Sequence, residues 1–179
     1  MTQTAKTYGG ALYDLAAEEN LTEQILSDLT LVCSVADADS DYLRLLCTPS
    51  VPKPERRQLI DEAWRGNIHD YTRNFLKLLC DNGTLSELRA CKDEFHARYR
   101  QDHNIIPVCA VSAMEIPDAL LEKLLEKLQQ MTGKTVELST RIDANLLGGI
   151  RLELPDRQLD GSAKFHLEQV RKLLKNTVL

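Results

Sequence analysis

The residues whose types and spacing could do chemistry are few, and each lacks a companion that the chemistry requires. Gly133-Lys134-Thr135 reproduces the end of the phosphate-cradling pattern G-x-x-x-x-G-K-[ST]. The first glycine of that pattern would fall at Leu128, and the surrounding sequence reads as helix before and strand after, the reverse of what a phosphate loop needs. Gly133 is therefore expected to close a helix. Gly148-Gly149 lacks the G-x-G-x-x-G spacing that brings backbone close to a pyrophosphate, and reads as a turn at the start of a strand. The histidines His69, His96, His103 and His166 include no H-E-x-x-H pair, so no metal site is expected. No serine stands in a G-x-S-x-G elbow, and Asp143, Asp156 and Asp160 sit where turns favour aspartate. The five cysteines, Cys33, Cys47, Cys80, Cys91 and Cys109, form no C-x-x-C pair and are expected to be free thiols. No catalytic residue, cofactor or metal is expected, and enzyme is the minority reading.

Composition narrows the remaining classes. The chain has 179 residues, 43% apolar and 27% charged, enough for a buried core in one ample domain or two small ones. With a net charge of −5 and no basic run, nucleic acid is excluded as a partner. The longest uncharged stretch, Asn104 to Met114, is far shorter than the roughly 20 apolar residues of a membrane span. The opening MTQTAKTYGG has neither a signal-peptide core nor an Arg-rich transit pattern, so a cytosolic setting is the default.

The elements that must position any site follow from periodicity. Tyr8, Ala11, Leu12 and Leu15 keep a helical period, as do Ile25, Leu29, Val32 and Ala36. A short third helix carries Tyr42, Leu43, Leu45 and Leu46, a fourth starts near Pro54, and a fifth runs from about His69 to Asn82-Gly83. Leu88, Cys91, Phe95 and Tyr99 mark a sixth. Beyond Asn104 the period drops to two over 108–112, 135–142 and 150–154, with a turn at 155–158 into a fourth short strand. Helices are predicted between these strands, from Pro117 to about Met131, and after them, from Ser162 to about Lys175.

The fold class is thus α+β: a six-helix N-terminal bundle over 1–104 and a small α/β domain over 105–179 with about four strands and two helices. Charge supports that boundary. Residues 1–104 carry 12 basic and 17 acidic side chains, and residues 105–179 carry 10 of each.

One apolar surface stands out. On the first helix, small residues (Gly9, Gly10, Ala11) adjoin Tyr8, Leu12 and Leu15, which would let another helix lie close. Periodicity alone favours ordinary packing between neighbouring helices.

Several blocks, in order along nearly the whole chain, resemble one family: YGGALYDLA, NFLKLLCDNGTL (74–85), VSAMEIP (111–117), TGKTVEL (132–138), IDANLLGGIRLEL (142–154) and DGSAKFHLEQVRKLL (160–174). They are similar to the delta subunit of bacterial F-type ATP synthase, the family of the mitochondrial oligomycin-sensitivity-conferral protein. This chain departs from the usual pattern at Thr84, where an arginine is common, and at Ala163-Lys164-Phe165, where the family is often more basic. The resemblance implies a non-catalytic stator subunit, present once per complex, that links the catalytic head to the peripheral stalk and resists rotor torque. It implies that a groove between the first and fifth helices, formed by Tyr8, Ala11, Leu12, Leu15, Asn74, Phe75, Leu78, Leu79 and Asn82, holds the N-terminal helix of an alpha subunit. It also implies that the C-terminal domain meets the b subunits of the stalk, with Leu173, Leu174 and Lys175 as the contact. The setting would be the cytoplasmic face of the inner (plasma) membrane, touched only indirectly through the complex. The alternative is an unrelated cytosolic helical adaptor.

Overall fold

The computed structural model describes residues 2–161 apart from 39, 49, 50, 147 and 157. Among the described residues, seven α-helices and a four-stranded sheet make it an α+β chain with a helical N-terminal part. Two compact units divide it, Met1–Gln101 and Asp102–Leu179.

In the first unit lie α1 (Gln3–Glu18), α2 (Thr22–Ala38), α3 (Ser40–Cys47), α4 (Lys53–Trp64), α5 (Asp70–Asp81) and, after a 3-10 turn at Leu85–Glu87, α6 (Leu88–Asp102). Pro52 and Pro54 flank the start of α4, where proline costs no helical hydrogen bond. Their buried stripes converge on one core that includes Ile25, Leu29, Ile60, Leu79, Leu85 and Phe95. Tyr13 of α1 meets Phe95 of α6 edge to face, with ring centroids 5.1 Å apart. A Cβ on Gly9 would stand 2.5 Å from the carbonyl oxygen of Cys91, and one on Gly10 would strike the Arg98 guanidinium. The glycine pair therefore serves the close approach of α6 within the unit. For these two glycines that is the ordinary packing between neighbouring helices that periodicity favours.

The start of α5 is fixed from a distance. The buried Asp28 carboxylate on α2 accepts the backbone N–H of His69 (2.7 Å) and the Thr72 hydroxyl (3.1 Å). The His69 ring in turn accepts the Tyr71 N–H at 3.2 Å. These acceptors satisfy donors that an open helix start leaves orphaned, and the carboxylate suits the positive end of the dipole. Replacing Asp28 by alanine strands a half-buried N–H and a buried hydroxyl, a loss of about 2 kcal/mol. Thermal circular dichroism should show a fall of roughly 10 °C or more in the melt of this unit. An unchanged melt would mean that α5 is held by packing alone.

In the second unit, β1 (Ile105–Ser112), α7 (Asp118–Thr132), β2 (Thr135–Ile142), β3 (Ile150–Glu153) and β4 (Gln158–Asp160) give the sheet order β2-β1-β3-β4. Strand β1 runs parallel to β2 in the register Ile105↔Thr135 to Ser112↔Ile142, with α7 as the crossover. The two remaining pairings, β1 with β3 and β3 with β4, are antiparallel. Val108, Leu128 and Val136 form the core beneath α7, flanked by Ile106, Leu124, Leu138 and Leu152. The second helix predicted for this unit, from Ser162 to about Lys175, lies outside the described residues.

Candidate functional site

The first unit carries an apolar groove of roughly 440 Å³ lined by Tyr8, Ala11, Leu12 and Leu15 of α1 and Tyr71, Asn74, Phe75 and Leu78 of α5. Leu12 and Phe75 are buried and form its floor. At its mouth Leu15 is 37% exposed and Leu78 45% exposed, large aliphatic side chains left facing water. Ala11 is exposed between them, small enough to leave the groove open. The Asn82 amide donates to the Tyr8 hydroxyl at 3.1 Å, tying the end of α5 to α1 at one end of the groove.

Most of the residues expected here thus come together, and two do not line the groove. Leu79 is fully buried at 0% exposure and packs in the core behind it, because Phe75 and Leu79 are one turn apart on the inward edge of α5 whereas Tyr71, Asn74 and Leu78 form its outward edge. Asn82 sits beyond the helix end and acts through Tyr8. Tyr71 was missed in the sequence. Its signal was present, since it stands one turn ahead of Phe75 in the same helical period. The stalk residues Leu173, Leu174 and Lys175 lie outside the described residues.

What such a groove can do chemically is bind. The tyrosine hydroxyls and the Asn74 amide are its polar groups; neither a carboxylate nor an imidazole lines it. Among the described residues no three His, Cys, Asp or Glu cluster as metal ligands. The Gly133 segment is a helix end: φ is +65° at Gly133, its N–H donates to the Gln129 carbonyl at 2.9 Å, and β2 follows. Burial, reinforced by Glu87 and Cys33, pushes the Cys91 thiol up to about 11, and burial raises Cys33 and Cys80 as well. Such thiols are not nucleophiles at neutral pH. Elsewhere in the unit, Leu31, Val35, Tyr42, Ala63, Trp64 and Asn67 line a second apolar depression of about 570 Å³, across which the Trp64 indole donates to the Tyr42 hydroxyl at 3.2 Å.

The sequence model of the ATP synthase delta (OSCP) subunit family matches residues 4–174. The chain belongs to that family. It is 30% identical over 173 residues to the ATP synthase subunit delta of Lactobacillus gasseri, covering 96% of this chain and 94% of that one. To its counterpart in Moorella thermoacetica it is 32% identical over 171 residues, covering 96% of each. In fold it is similar to a chain in the Toxoplasma gondii mitochondrial ATP synthase hexamer, with a TM-score of 0.75, 21% identity and coverage of 97% and 98%. As a member of the delta (OSCP) family, the chain is a non-catalytic stator subunit of ATP synthase. A binding groove without reactive groups is what that role asks of its surface. No described helix is long and apolar enough to cross a membrane.

Proposed function

We propose that the groove between α1 and α5 holds the amphipathic N-terminal helix of an alpha subunit of the catalytic head. In this reading residues 1–104 act as a six-helix head-binding domain. Residues 105–179 meet the b subunits of the peripheral stalk through a contact that includes Leu173, Leu174 and Lys175. One copy per complex, on the cytoplasmic face of the membrane, then joins head to stalk and holds the head against rotor torque.

The observation that carries the reading is the pair of leucines, Leu15 and Leu78, standing exposed on either side of a buried apolar floor. Covering them with the apolar face of a helix removes that surface from water at roughly 25 cal/mol per Å². It also seats the leucines as central anchors of an interface. A mechanical link needs affinity and stiffness and no chemistry, and both come from close-packed apolar contact.

The test is a titration of the full chain with the alpha-subunit N-terminal peptide, followed through the methyl resonances. Leu15 and Leu78 should shift most. Shifts confined to Leu31 and Val35 would move the docking site to the second depression and contradict the proposal.

A further inference from the structure

The groove differs from end to end. Asn82 at the close of α5 bonds to Tyr8 early in α1, while Tyr71 at the start of α5 shares the groove with Leu15 late in α1. The Tyr8–Asn82 pair thus marks one end of the groove, and Leu15, about two turns on along α1, lies toward the other.

At the Tyr8 end the tyrosine hydroxyl and the Asn82 amide stand among charges that balance: Asp81 is paired with Arg57, Glu87 accepts from the Thr2 hydroxyl, and Lys6 is exposed on α1. At the Leu15 end Asp14, Glu18 and Glu19 surround the end of α1, and Asp70 opens α5. Arg98 holds Asp14 at 2.9 Å and Arg73 holds Asp70 at 2.8 Å. Both arginines are shared with a further carboxylate, Glu94 for Arg98 and Asp61 for Arg73, and among the described residues Glu18 and Glu19 stand exposed outside any ion pair.

These two glutamates also stand where α1 itself disfavours them. The last turn of a helix is the negative end of its dipole, and this turn carries no basic residue. A local rule broken without a compensating contact inside the fold marks a place where something else supplies the compensation. The net charge of −5 carried by residues 1–104 points the same way.

We infer that Glu18 and Glu19 set the charge and direction of the docked helix: it presents lysine or arginine side chains over them and lays its uncharged end beside Tyr8 and Asn82. The inference rests on the groove reading above and adds to it which way the helix lies and what its flank carries. Apolar contact supplies most of the affinity, and the acidic end supplies direction and rejects helices with an acidic flank there.

The test measures affinity of the full chain for the alpha-subunit N-terminal peptide at low and high ionic strength. The variants are Glu18→Lys with Glu19→Lys, and Glu126→Lys on α7 as a control of single charge reversal elsewhere. At low salt the double variant should bind at least about tenfold more weakly than the unaltered chain. Most of the salt dependence should vanish with it, because charges about a Debye length apart are what salt screens. A peptide with its basic residues replaced by glutamate should then bind the double variant better than it binds the unaltered chain. The control should match the unaltered chain. Equal affinity of the double variant and the unaltered chain at low salt would overturn this inference and leave the groove in place. Absence of binding to the unaltered chain would overturn the groove reading and this inference together.

Discussion

Aspartate in place of Ala11 should leave the chain folded and weaken its hold on the alpha-subunit N-terminal peptide at least about a hundredfold, some 2.7 kcal/mol. Ala11 is exposed and lines the groove between Tyr8, Leu12 and Leu15. In the free chain a carboxylate there is hydrated, and its cost is little more than the roughly 0.5 kcal/mol of helix propensity that separates aspartate from alanine. On docking it is either trapped unpaired under the incoming helix or forces that helix outward, and both outcomes are expensive. Ala16, one and a half turns further along α1, supplies the contrast. It is buried at 0% exposure, so Ala16→Asp should collapse the melt of the first unit instead of sparing it. Calorimetric titration beside a thermal melt separates the two cases. Unchanged peptide affinity in a folded Ala11→Asp chain would remove this groove from the account.

Much of this site could be read in the sequence because helical period assigns faces. The stripe of Tyr8, Ala11, Leu12 and Leu15 is that of an amphipathic helix, and α1 presents it to the groove. What period does not assign is the neighbour that covers each edge of a wide stripe. On α5, Phe75, Leu78 and Leu79 read as one face, yet the structure turns Leu79 into the core and leaves Leu78 at the surface. The same limit explains Gly9 and Gly10, whose small size served α6. The Asp28 cap of α5 was illegible for another reason, since its partners stand 41 and 44 residues away and no local pattern joins them. In the second unit, alternation and turn residues sufficed for the strands. Their order β2-β1-β3-β4 came only with the pairing, in which α7 returns the chain parallel to β1.

The central claim is that this chain is a mechanical link and nothing else, and shortening it at one end tests that most directly. A chain ending after Gly161 keeps β4, which pairs antiparallel with β3 from Gln158 to Asp160, so β3 keeps both of its neighbours. It also keeps the α1–α5 groove, and so should still bind the head. It loses Leu173, Leu174 and Lys175 and, on this account, the stalk. A head that is free to turn with the rotor hydrolyses ATP without moving protons. The measurement is ATP-driven proton pumping, recorded beside ATP hydrolysis, in membranes stripped of this subunit and reconstituted with the full or the shortened chain. The full chain should restore pumping, while the shortened chain should bind the head, leave hydrolysis in place and leave pumping near the level of stripped membranes. Full pumping with the shortened chain, or hydrolysis that fails whenever the subunit is missing, would contradict the account.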